Sequence, residues 1–191
     1  DLKSDLVGEF PELQGVMGGH FAEAQGFDKE VCQSISEHYL PSGNDSRVPK
    51  NLYSITLSLS DKIDTLVGFF GLALIPTGSK DPYALRRYTI GLVRLIIENK
   101  IRIKLRSIIN YSLTLYKEQG FEFDITKVLK DLNNFILERL KNYSKEKNIR
   151  LDIIEGSIST NDIDELYSGF KKAEVLNKNI SKEVGQDVIG I

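Results

Sequence analysis

Apolar residues recur at three- and four-residue intervals through almost the whole chain, and that period confines it to an all-α fold. Val31, Cys32, Ile35 and Tyr39 share one helical face, and Leu57, Ile63, Leu66, Val67 and Phe70 share another. The stretch from Leu52 to Leu59 also alternates apolar and polar, a strand-like period, but its neighbours are helical and helix is favoured. Leu85, Tyr88, Leu92, Ile96 and Ile97 form a buried stripe that leaves Arg86, Arg87 and Arg94 largely off it. Apolar spacing runs on through Ile101, Leu105 and Ile108, which predicts one long helix or a kinked pair over 82–118. Val128, Leu129, Leu132, Phe135, Ile136 and Leu140 mark the next helix, capped by Asp124 or Thr126. A short helix follows near Leu151–Gly156. Ser159–Asp162 reads as a turn and cap before a helix holding Ile163, Leu166, Phe170 and Val175. Breaks fall at Pro11, at Pro41–Asp45 and at Pro76–Lys80, and Gly15, Gly18 and Gly19 make a flexible or tightly turned stretch. Asp81 followed by Pro82 predicts a helix start, an acceptor at the cap and proline at the first position. A soft boundary is expected near Gly120.

Composition narrows the function classes. No stretch of the 191 residues approaches the roughly 18 apolar residues of a membrane span. The chain opens on Asp1, Lys3 and Asp5 rather than on a signal peptide. Its single cysteine, Cys32, sits on an apolar face as core, excludes an internal disulfide or a cysteine-based zinc site, and points to a reducing cytoplasm. The net charge of -2 hides an asymmetry: residues 1–64 carry 5 basic and 11 acidic side chains, whereas residues 80–106 carry 8 basic and 2 acidic. A basic segment in a nearly neutral chain points to an anionic partner.

Candidate chemistry is sparse. His38, Asp61 and Asp64 could converge on a metal, although an ordinary polar rim explains them as well; His20 follows a glycine pair. The loop Pro76–Pro82 combines hydroxyls, Lys80 and a following helix start, as a phosphate-holding loop does, but lacks the Walker glycine frame. Arg86, Arg87 and Arg94 can bind phosphates bidentately or lie on a solvated basic face. Glu9, Glu12 and Glu23 have no spacing that favours acid–base work. Tyr39, Tyr83 and Tyr88 could stack on bases, with Tyr88 in the buried stripe.

Four motifs stand in order: Glu9–Gly19 (EFPELQGVMGG), Glu37–Pro41 (EHYLP), Ser60–Gly68 (SDKIDTLVG) and Pro76–Arg87 (PTGSKDPYALRR). Together they resemble the beta subunit of the bacterial tetrameric glycyl-tRNA synthetase, and Phe135–Leu140 and Asp152–Ile154 extend the likeness to about residue 176. The resemblance implies an HD-like helical bundle over 1–119, N-terminally truncated. A smaller helical segment follows over 120–191, a connection and the beginning of an anticodon-binding domain, C-terminally truncated. It implies a cytoplasmic ligase subunit that binds tRNA(Gly) and works with an alpha subunit in a tetramer of two alpha and two beta. ATP and Mg2+ act at the alpha-subunit site, and this segment itself is expected to hold no cofactor, metal or catalytic residue. Lys80, Arg86, Arg87 and Arg94 become the expected tRNA contacts. Asp1, His38 and Asp61 fall at degenerate HD-like positions, since the chain has no His-Asp doublet. Two alternatives remain: a metal-dependent phosphohydrolase, or a pure assembly scaffold in which Arg86 and Arg87 pair with Glu9 or Glu12.

Overall fold

The computed structural model describes residue 1, residues 3–158 and residues 163–180. Among these residues it is an all-α bundle of nine helices. They are α1 (Asp5–Glu9), α2 (Val16–Ala24), α3 (Lys29–Glu37), α4 (Leu52–Gly71), α5 (Leu85–Glu98), α6 (Leu105–Glu118), α7 (Ile125–Glu146), α8 (Leu151–Ser157) and α9 (Leu166–Ile180). The expected cap at Ser159–Asp162 lies outside the described residues.

Helix α5 is the axis of the bundle. Ten of its 14 residues are buried, so it is enclosed on almost every side rather than along one stripe. It packs against α4, α7 and α9, and α4 also touches α6 and α7. Leu85, Leu92, Val93, Leu95 and Ile96 are essentially inaccessible to solvent. One apolar core runs without interruption from Ile63 on α4 to Ala173 on α9.

Local chemistry sets the helix ends. Residues 52–59 are helical, and the Asn51 side chain accepts from the Tyr53 N–H at 2.8 Å. Asp124 caps α7 by accepting from the Lys127 N–H at 3.0 Å. The start at Asp81-Pro82 is displaced: residues 81–84 form a turn, and α5 begins at Leu85 after Ala84 in the left-handed region. That turn carries the Tyr83 ring onto Phe69, centroids 4.5 Å apart. Asp81 still serves as the cap, its two carboxylate oxygens accepting from the N–H groups of Leu85 and Arg86 at 2.8 and 3.0 Å.

One expectation is corrected and one choice is settled. The glycine-rich stretch is helical: Gly15, at φ 85°, turns the chain into α2, and Gly18 and Gly19 lie inside it. A Cβ on Gly18 would stand 2.9 Å from the Ile35 side chain and one on Gly19 2.8 Å from the Cys32 carbonyl, so the two glycines let α2 press directly onto α3. Of the two forms expected over 82–118, one long helix or a pair, the structure has a pair, α5 and α6, joined by a non-helical stretch at residues 101–104.

Because Asp81 satisfies two of the N–H groups at the start of the most buried helix, Asp81→Ala lowers unfolding stability by about 0.5–2 kcal/mol. Urea unfolding checks it: the midpoint falls while the slope stays constant.

Candidate nucleic-acid interface

The eight cations of residues 80–106 fall into three groups once the fold positions them. The first surrounds the start of α5. Lys80 and Arg87 are exposed, and their side chains make no hydrogen bond or ion pair among the described residues. Arg86 donates to the Gly78 carbonyl at 2.6 Å, which ties the Pro76–Pro82 loop back onto the helix. Neither arginine pairs with Glu9 or Glu12 among the described residues, so the ion pairs expected of a scaffold are not formed there.

Arg94 is alone in the second group. The sequence places it off the buried stripe, but its side chain is only 10% exposed. Its Nε donates to Glu98 at 2.8 Å, and its guanidinium donates to the Gly43 carbonyl at 2.5 Å. This cation stitches the Pro41–Asp45 break to α5, and its donors face protein acceptors rather than solvent.

The third group lies at the joint between α5 and α6. From Lys100 to Arg106, Ile101 and Ile103 pack on the core and Leu105 is fully buried, whereas Lys100, Arg102, Lys104 and Arg106 are exposed. Side chains of an extended chain alternate between faces, and same-face residues stand up to about 7 Å apart. In the non-helical residues 101–104, exposed Arg102 and Lys104 alternate with Ile101 and Ile103, and exposed Lys100 and Arg106 flank them in the preceding turn and the first turn of α6. Lys100 and Lys104 have no side-chain partner among the described residues, and Arg102 lies over the Tyr167 ring at 5.9 Å. The Arg106 N–H donates to Asp164 at 2.7 Å, and Arg106 and Lys130 line one groove of about 310 Å³. The signal was present in the sequence as a strict basic–apolar alternation over seven residues.

Asp1, His38 and Asp61, the residues expected at HD-like positions, each have their own surroundings. Asp1 accepts from the N–H groups of Gly15 and Gly18 at 2.7 and 2.8 Å, closing the N-terminus of α2. His38 Nδ1 lies 2.6 Å from the Ile35 carbonyl oxygen, and its ring packs on Tyr39. Asp61 has one buried carboxylate oxygen with no partner, and burial pushes its pKa up against the opposing charges of Lys62 and His38. Among the described residues no three His, Cys, Asp or Glu side chains stand close enough to hold a metal ion. Among those residues, too, no helix is long and apolar enough to cross a membrane.

Lys62 went unnoticed in the sequence, although Ser54, Ser58 and Lys62 form a polar stripe at four-residue spacing on α4. All three are buried. The Lys62 ammonium donates to the Tyr39 carbonyl at 3.0 Å and lies 5.1 Å from the centre of the Tyr88 ring. Gly91 on α5 makes room for it, since a Cβ there would stand 2.8 Å from Lys62 Cε and 2.6 Å from the Pro41 carbonyl. Burial pulls the Lys62 pKa down to about 8 despite the neighbouring Asp61 charge, and burial likewise pushes Tyr88 up to about 12.

Two stability measurements test these placements. Arg94→Ala costs about 2–4 kcal/mol because Glu98 and the Gly43 carbonyl lose their donor in a largely dry site. Arg87→Ala changes stability by less than about 0.5 kcal/mol. For Lys62, the unfolded chain holds its proton to higher pH than the folded one, so folding becomes more favourable as pH rises from about 8 towards the ordinary lysine value. Wild type therefore gains stability relative to Lys62→Met over that window, on the order of 3 kcal/mol. Equal pH slopes for the two proteins would contradict a buried, charged Lys62.

Comparison with known proteins agrees with the resemblance carried by the motifs. A family model described as glycyl-tRNA synthetase beta subunit matches residues 1–159. The chain is 39% identical over 189 residues to a glycine–tRNA ligase beta subunit of Cereibacter sphaeroides, covering 99% of this chain and 27% of the relative. It is 37% identical over 183 residues to that of Clostridioides difficile, covering 96% and 26%. It is 45% identical over 143 residues to that of Nitratidesulfovibrio vulgaris, covering 75% and 20%. The chain thus spans about a quarter of the length of the first two relatives. Matched along most of its own length, it belongs to the glycyl-tRNA synthetase beta-subunit family.

Proposed function

We propose that this chain is a tRNA-holding segment of a glycine–tRNA ligase beta subunit, non-catalytic in itself, whose main RNA contact is the cationic row Lys100–Arg102–Lys104. The observation that carries the reading is the alternation of those cations with partly buried Ile101 and Ile103 and fully buried Leu105. The apolar residues anchor the stretch to the core, so the backbone that carries the three positive side chains is already ordered before binding. Cations spaced along a chain suit the regular charge of a sugar–phosphate backbone. Duplex RNA is recognised mostly by shape and backbone contacts, and this row offers charge rather than base-reading groups. Lys80 and Arg87, exposed at the other end of α5, provide a second basic point. Arg94 is left out, because its donors are already engaged.

The partners follow from the family: tRNA(Gly), the remainder of the beta subunit and an alpha subunit, assembled as two of each in the cytoplasm, with ATP and Mg2+ at the alpha-subunit site. We also infer that the boundary near Gly120 separates an HD-like unit from the start of an anticodon-binding unit by ancestry rather than by packing, since the core crosses it.

Fluorescence anisotropy with labelled tRNA(Gly) over a salt series tests the assignment. Replacing three phosphate-binding cations in Lys100→Gln/Arg102→Gln/Lys104→Gln weakens binding and lowers the steepness of the log affinity–log salt plot by about 2–3. An unchanged affinity and slope would reject the row as the RNA contact and favour the scaffold reading.

A further inference from the structure

A cavity of about 900 Å³ lies between the N-terminal segment, the end of α3 and the α4–α5 pair. Its volume falls in the range of small-molecule sites, roughly 300–1,000 Å³. Three cations line it from three separate parts of the chain: Arg47 before α4, Lys62 within α4 and Arg87 in the first turn of α5. None of them belongs to the Lys100–Arg106 row. Asp1, His38 and Asp61 are not among the lining residues, so the cavity is distinct from the degenerate HD-like positions.

The polar groups here are incompletely used. An ammonium carries three N–H donors. Lys62, 1% exposed, gives one to the Tyr39 carbonyl and makes no other hydrogen bond among the described residues. Leaving donors of a buried cation without acceptors is costly, so an oxygen-rich anion in the cavity has a large interaction to gain. Arg87 has its whole guanidinium available. Arg47 is held at 2.7 Å by Glu37, yet its side chain remains 67% exposed. One carboxylate, Glu12, also lines the cavity, so the cations outnumber it by two. Tyr39 and Tyr88 add aromatic rings to the wall, and the Gln14 side-chain amide fixes the Tyr39 hydroxyl. Two cations for a phosphate and two rings for a base make a consistent set.

We propose that this cavity binds a phosphate-bearing nucleotide, with Lys62 and Arg87 on phosphate oxygens and Tyr88 and Tyr39 against the base. The nucleotide is either a free nucleoside monophosphate or one unit of an RNA strand; both offer the same groups. The proposal stands whether or not the Lys100–Arg106 row binds tRNA.

The test is calorimetric titration of the chain with AMP, UMP, adenosine, inorganic phosphate and a single-stranded RNA trinucleotide, for wild type, Arg87→Gln and Lys62→Met. Binding of a phosphate-bearing probe, weaker or absent for adenosine, is expected. Arg87→Gln should reduce it by roughly tenfold or more, the loss of a hydrogen bond to a charged group. Arg87 is exposed and its side chain has no partner among the described residues, so this variant reads binding even if Lys62→Met does not fold. AMP or UMP binding lost in Arg87→Gln identifies a free-nucleotide site. Trinucleotide binding lost in Arg87→Gln, with no mononucleotide binding, identifies an RNA unit. No saturable binding of any phosphate-bearing probe to folded wild type overturns the proposal, as does binding that Arg87→Gln leaves unchanged.

Discussion

Enclosing α5 on almost all sides imposes conditions on everything around it. A helix with so little exposed surface needs covers on several faces, and α4, α7 and α9 supply them. A charged residue within it must find its partners inside the protein, and Arg94 does so through Glu98 one turn along and the Gly43 carbonyl far away in sequence. Close approach also demands small residues, and Gly91 is where the Pro41 carbonyl and the Lys62 stem press on α5. The two ends of the helix are then the places where cations can reach solvent. Arg87 marks one end and Lys100 the other, about 20 Å apart at the rise of an α-helix.

The cations of this chain show how little a charge count says about a surface. Lys62, Arg94 and Arg139 are all buried, each answered by a different device: a carbonyl and a tyrosine ring, a carboxylate and a carbonyl, and a neighbouring Glu138 with the Phe135 ring at 4.5 Å. They contribute to the net charge but not to the surface that another molecule would meet. Exposure and free donors, rather than position in a basic stretch, distinguish Lys80, Arg87, Lys100 and Lys104.

The helical period made the all-α class legible, and the buried stripe of α7 could be read closely, but Leu57 of the expected α4 stripe is exposed and α5 is buried well beyond its stripe. The place of the break between α5 and α6 could not be read. Ile101 and Leu105 are four apart, which satisfies a helix, and with Ile103 they are also successive alternate residues, which satisfies an extended chain. Only the glycine-free turn at Asn99–Lys100, with Lys100 at φ 57°, separates the two cases, and no proline or glycine announces it. The burial of Arg94 was missed for another reason: beside Glu98 one turn along, its second partner is the Gly43 carbonyl, which is distant in sequence and carries no side-chain signature. The four ordered motifs identified the family directly, whereas the position of Lys62 against Gly91 required the fold.

The alternation over Ile101, Arg102, Ile103 and Lys104 gives the linker a parity. Each apolar residue that turns inward fixes the direction of its neighbours, so exchanging one base for another keeps the arrangement. Losing or gaining a single residue does not: it sends the lysines and arginines towards the hydrophobic interior and the isoleucines towards water. Length variation in this joint is therefore tolerated in steps of two, and an odd step damages the core and the charged face at once.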